Sequence, residues 1–150
     1  MTGDPKWVLA RGQSRAFVLA AQRCNEHRPL PSGILQFLFV PSLVNYAFSI
    51  EVGLKALALQ ESGRADRGHD LKKLVNALSP ALRAQIARDA ESLYPGSRFD
   101  SDIALVRDVF EVWRYVYEEG TRDTDLGFLQ RFAAAVQMSL DALPPRPPWL

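Results

Sequence analysis

The feature that most constrains this chain is the spacing of its small and apolar residues, which recur every three or four positions along almost its whole length. Trp7, Ala10, Ser14, Phe17, Ala21 and Cys24 keep that rhythm to about His27, and Leu43, Ala47, Ile50, Leu54 and Leu57 resume it up to Gly63. Leu71, Leu74 and Leu78 follow Asp70 as a helix cap, and Leu82, Ile86 and Leu93 follow Ser79-Pro80 until Tyr94-Pro95-Gly96. A fifth run, Ile103, Val106, Phe110, Trp113 and Tyr117, lies between about Ser101 and Glu119 and stops at Gly120. After Asp125 a sixth carries Leu126, Leu129, Ala133, Val136, Leu140 and Leu143. Such a period lines up one stripe of an α-helix, and the Asp, Ser and Pro residues stand where helix starts need them. Asp4-Pro5 opens the first helix, with Asp4 as its cap, and Pro41-Ser42 opens the second; Arg28-Pro29-Leu30-Pro31-Ser32-Gly33 breaks the chain between them. No segment alternates with a period of two between hairpin turns, so essentially no sheet is expected. The pattern predicts an all-α fold, an antiparallel helical bundle of five to six helices over residues 1–143 as one domain. Residues 144–150, Pro-Pro-Arg-Pro-Pro-Trp-Leu, form a tail expected in the polyproline II conformation.

Composition narrows what such a bundle can do. With 150 residues, 47% of them hydrophobic, the chain can bury a sizeable core without disulfides or a structural metal. Its formal charge is +1, which argues against a protein that coats duplex DNA through phosphate contacts. The charge is unevenly placed: residues 1–75 hold ten basic against six acidic groups, and residues 76–150 eight against eleven. Residues 1–28 alone hold five basic and two acidic groups. Cys24 is the single cysteine, so no intramolecular disulfide is possible and a cysteine-type zinc site is not expected. The N-terminus has no apolar core of a secretory signal, and no apolar run nears the ~20 residues of a membrane span. A cytoplasmic protein with no membrane, metal or cofactor requirement is the expectation. The glycine-rich phosphate loops, the zinc-protease HExxH motif and the GxSxG nucleophile elbow are all lacking.

Three places carry residues that could do chemistry. On the second helix, Glu51 and Lys55 fall within an arc shared with Val44, Phe48, Ala58 and Leu59, while Asn45, Ser49 and Gln60 lie roughly opposite. A Glu–Lys pair four residues apart is ordinarily a solvated surface pair, but charges that interrupt an apolar face need partners and can organise a site. The polar loop Arg64-Ala65-Asp66-Arg67-Gly68-His69-Asp70 enters the third helix. Gly68 permits a tight turn, His69 can act as an acid, base or anion contact, and Asp70 or His69 can instead simply cap the helix. On the fifth helix Arg114 borders the apolar arc, in a ladder with Arg107, Glu111 and Glu118. Arg114 is a candidate partner for an anion or for Glu51, with the Tyr117 hydroxyl nearby.

The string Ser49-Ile50-Glu51-Val52-Gly53-Leu54-Lys55, then Gly68-His69-Asp70-Leu71-Lys72-Lys73-Leu74, then Trp113-Arg114-Tyr115-Val116-Tyr117-Glu118, resembles the HEPN (higher eukaryotes and prokaryotes nucleotide-binding) superfamily. Its members often show an E-x3-K helix, a G-H-D-L helix start and a later W-R-Y-x-Y-E segment, in this order. The resemblance spans about residues 42–120. It implies a helical bundle, commonly a homodimer, of the kind found in bacterial toxin–antitoxin, phage-defence and RNA-processing systems. Many members are metal-independent ribonucleases with an Arg-x4–6-His motif. Arg64 and His69 match that spacing, but Ala65 stands where the motif prefers a polar residue, the pair lies early in the chain, and no histidine follows Arg114.

These readings converge on a binding module for a nucleotide, an RNA or a protein partner, with Glu51, Lys55, His69, Asp70, Arg114, Tyr117 and Glu118 as ligand-binding residues. Two alternatives stand beside it. One is an endoribonuclease with His69 as acid/base and Arg64 or Arg114 stabilising phosphate charge. The other is a non-catalytic, antitoxin-like or structural partner whose polar residues only fix helix packing.

Overall fold

A computed structural model describes residues 3–119 and 124–145. Its helices are α1 (Lys6–Cys24), α2 (Phe39–Ser62), α3 (Leu71–Asn76), α4 (Pro80–Ser92), α5 (Phe99–Val106), α6 (Val109–Arg114), α7 (Val116–Glu119) and α8 (Leu126–Asp141). The fold is all-α, as the periodicity predicts. Three starts are local in origin: Asp70, Ser79 and Asp125 each accept a backbone N–H three residues on, and Gly63 ends α2 at φ 73°, where a side chain would be strained. The first helix departs from expectation, beginning at Lys6 with Pro5 rather than Asp4 in the cap position. The second begins at Phe39, a half-turn before Pro41.

α2 runs through the centre. It packs along α1 and against α8, α6 and α3, while α4 closes on α8 and α5. α1 and α2 are antiparallel, since Ser14 lies against Ser49 and Ser42 against Ala21. Leu43, Ala47, Ile50, Leu54 and Leu57 are fully buried. So is Ser49, which corrects its placement on a polar side: its hydroxyl donates to the Ser14 carbonyl at 2.7 Å, and Ser14 Oγ donates to the Ser49 carbonyl at 2.7 Å. α2 is thus buried nearly all round. Although it is long and apolar enough to cross a membrane, 67% of its most apolar window is covered by the rest of the bundle. Close approach of three helices centres on Gly53, where a Cβ would stand 2.5 Å from Val136 Cγ1 and 2.8 Å from Ser14 Oγ.

Within this all-α frame several details depart from expectation. A small sheet exists: β1 (Arg28–Pro29) pairs antiparallel with β2 (Leu35–Gln36) around a turn in which Gly33 has φ 80°. The fifth helix is also broken into α5, α6 and α7, because the Arg107 carbonyl turns aside to accept the Leu71 N–H at 2.8 Å and Glu111 N–H bonds Asp108 instead. A second break follows at Tyr115, whose N–H reaches back only to Val112. These breaks dismantle the ladder Arg107–Glu111–Arg114–Glu118, whose members form no ion pair with one another among the described residues. Tyr117, expected on the apolar arc, is 77% exposed, and Leu93 of α4 is exposed as well. Gly120, the expected helix stop, and residues 146–150 of the Pro-rich tail lie outside the described residues; Pro144, which is described, accepts a hydrogen bond from Arg11.

Candidate functional site

Glu51 sits mid-way along the buried helix, and its side chain is only 3% exposed. A carboxylate taken that far out of water requires hydrogen-bond donors. It has two: Lys55 Nζ, one turn later, donates to Oε1 at 2.8 Å, and His69 Nδ1 lies 3.0 Å from both Oε1 and Oε2. An ionised carboxylate only accepts, so Nδ1 carries the hydrogen of that contact and Nε2 is the ring nitrogen left over. Lys55 is one-fifth exposed and His69 more than a third. The three therefore pass from a buried acid to a solvent-facing base and cation.

His69 is positioned from its C-terminal side too. Asp70 caps α3 by accepting the Lys73 N–H, and its Oδ2 accepts from Arg107 Nε at 3.0 Å and Nη2 at 2.6 Å. Burial would raise the Asp70 pKa, but the hydrogen bonds from Arg107 and Lys73 and the Arg107 charge outweigh it and hold the carboxyl below its ordinary value. With Leu71 N–H on the Arg107 carbonyl, the turn is tied to α2 through His69 and to the α5–α6 break through Asp70 and Leu71. Gly68 is not what permits this turn: it has no positive φ, and a Cβ there would meet nothing within 4 Å.

Aromatic packing then links the cluster to α6. The His69 ring lies 5.3 Å from that of Phe110, which stacks on Phe48 at 5.0 Å, and Phe48 meets Phe17 edge-on at 4.4 Å. The Arg114 guanidinium lies over Phe110 at 4.5 Å from the ring centroid. Arg114 is exposed and has no acidic partner among the described residues. Glu51 is taken by Lys55 and His69, so Arg114 serves as a neighbour of the cluster and not as a partner of Glu51.

The remaining candidates lie elsewhere. Arg64 follows the Gly63 turn and lines a depression of about 590 Å³ with Lys6, Ser62, Asp66 and Ala77, which His69 does not line. Tyr117 and Glu118 are exposed on α7; the adjacent Glu118 carboxylate, and to a lesser extent neighbouring Tyr115, raise the Tyr117 pKa. Neither touches the Glu51 cluster. Two residues that hold the site together were not assigned to it from sequence, Arg107 and Phe110. Phe110 was readable as core; the Arg107–Asp70 pair, 37 residues apart, leaves no sequence signal.

No family model, curated protein or solved structure matches this chain.

Proposed function

We propose that the chain is an HEPN-like helical-bundle module that binds the phosphate of a nucleotide or RNA strand along the edge formed by Lys55, His69 and Arg114. The observation that carries this reading is the buried Glu51 carboxylate, which anchors a lysine and a histidine side by side, one aromatic ring away from an arginine without an acidic partner among the described residues. A fixed carboxylate removes the rotamer freedom of Lys55 and His69 before any ligand arrives, which lowers the cost of binding. Arginine presents a planar fork suited to phosphate. A bacterial defence or toxin–antitoxin system, as the family resemblance implies, and a cytoplasmic location are part of the same proposal.

The test is titration of labelled single-stranded RNA and of nucleoside mono- and triphosphates, with Arg114→Ala and His69→Ala beside the parent and Arg88→Ala of α4 as a distant control. The reading expects each site variant to bind at least tenfold more weakly and the Arg114 variant to lose about one phosphate contact from the salt dependence. Failure of the folded parent to bind any of these ligands, or equal binding by all four proteins, refutes it.

A second reading, a metal-independent endoribonuclease, is favoured by one detail: Nδ1 of His69 is held by Glu51, as a general base requires of its orienting partner. Nε2 would take the proton of a ribose 2′-hydroxyl as that oxygen attacks phosphorus. The bond to the 5′-oxygen breaks, the leaving oxygen takes a proton from solvent water, and Arg114 neutralises charge on the phosphoryl oxygens. Cleavage of single-stranded RNA in EDTA by the parent, lost in His69→Ala, is the expected result. Cleavage that persists in the variant, or none by either protein, excludes it.

A further inference from the structure

All fourteen residues from Glu26 to Phe39 are exposed, and six of them are large and apolar: Leu30, Ile34, Leu35, Phe37, Leu38 and Phe39. Ile34 and Leu35 are 65% and 61% exposed. At about 200 Å² per fully exposed side chain, the six present on the order of 600 Å² to water. That is the upper end of what a monomer leaves open, and with exposed Pro31, Ser32 and Gln36 the hairpin can supply the ~800 Å² per partner of a stable interface. A two-stranded hairpin is only marginally stable in water. This one is nonetheless seated on the bundle, through ring contacts from His27 to Phe37, Phe37 to Phe39 and Phe39 to buried Trp113.

Charge and strand geometry identify what covers it. No acidic or basic residue occurs from Pro29 to Ile50, and Arg28 is already paired with Glu26. The hairpin therefore offers nothing to a nucleic acid or a charged headgroup. Leu30 N–H donates to the Ile34 carbonyl at 2.8 Å, and the register pairs Pro29 with Leu35. In an antiparallel ladder bonded and non-bonded pairs alternate, so Leu35 falls at a non-bonded pair and its N–H and C=O point away from β1. Pro29, at the same pair, has no N–H to give, which closes the outer edge of β1. The outer edge of β2 carries one donor and one acceptor on a single residue, and no other described strand pairs with it.

We infer that this edge is the two-fold interface of a homodimer, with β2 antiparallel to β2 of a second copy. Leu35 and the partner's Leu35 then exchange both N–H···O bonds across the axis, as an isologous contact demands. Ile34, Phe37 and Leu38 of the two copies cover one another. This inference stands apart from the ligand reading, because it uses none of Glu51, Lys55, His69 or Arg114.

The experiment is sedimentation velocity of the full chain from about 1 to 100 μM, beside Ile34→Asp and Leu35→Asp. Both positions are exposed in the monomer, so far-UV circular dichroism is expected to be unchanged at low concentration. The parent is expected at twice 16.8 kDa, with dimer formation at least tenfold weakened in each variant. A parent that stays monomeric throughout, or variants that dimerise as the parent does, overturns the inference. So does a monomer that sediments instead with neutral lipid vesicles. In a Cys24→Ser background, Leu35→Cys is expected to form a disulfide between copies under mild oxidation, since opposed residues lie about 5.5 Å apart. Leu19→Cys, on the exposed face of α1, is expected not to. Equal cross-linking by both contradicts the assigned edge.

Discussion

Removing either end of the Glu51–Lys55 pair should have unequal consequences, because the two ends differ in burial. Lys55→Met leaves a carboxylate at 3% exposure with His69 as its one remaining ion-pair partner among the described residues. Breaking a buried pair from one side costs about 3–5 kcal/mol, and the surviving His69 contact puts this case near the lower figure, about 3 kcal/mol. For a chain of this size that is a fall in Tm of about 6–12 °C. Glu51→Leu takes away the buried charge itself. Lys55, one-fifth exposed, can extend its ammonium to water, and His69, more than a third exposed, can do likewise. Replacing a buried charge by an apolar side chain of similar size is often neutral, so a change within about 1 kcal/mol of the parent is expected.

Urea unfolding followed by circular dichroism, with Cys24 kept reduced, measures both. The double variant Glu51→Leu/Lys55→Met completes a cycle and should be more stable than Lys55→Met alone by about 2 kcal/mol, since it no longer strands a buried charge. A Glu51→Leu variant as damaged as Lys55→Met, or a double variant equal to the sum of both losses, would refute the reasoning. It would mean that the cluster is held by shape and not by the demands of one buried carboxylate.

Two further outcomes follow from particular contacts. Gly53→Ala places a Cβ within 2.5 Å of Val136 Cγ1 and 2.8 Å of Ser14 Oγ, so it should lower stability by about 2–3 kcal/mol, and Val136→Ala should restore part of the loss in thermal melts; a neutral Gly53→Ala contradicts the packing. Asp70, held below its ordinary value of 3.8, contributes stability that is present above that pH and is lost as pH falls through its lower folded value. Asp70→Asn keeps a cap but not the ion pair with Arg107, so the advantage of the parent in melts from pH 7 to pH 2 should shrink below about pH 4. A difference constant over that range is the opposing result.

What the sequence discloses and what it hides divide along the range of the interactions. The caps at Asp70, Ser79 and Asp125, and the stripes of α2 and α8, depend on neighbours three or four residues away and are readable as letters. Glu51 and Lys55 were readable too, as charges that a buried helix should not carry without cause. Their third partner, His69, is 18 residues from Glu51 and reaches it only because the α3 turn is tied down at both ends. One of those ties explains the largest error, the unbroken fifth helix. Its apolar period runs straight through Arg107, and nothing local distinguishes that residue from its neighbours. Its carbonyl leaves the helix because Leu71 N–H is there to receive it, and its guanidinium leaves the ladder because Asp70 is. The interruption of α5 and the placing of His69 are therefore one event. The same break sets off α6 as the short segment in which Phe110 packs against His69 and Arg114 lies over Phe110. A continuous helix would have kept Arg107 for its own surface, and the Gly68–Leu71 turn would have lost the anchor that holds its histidine against Glu51.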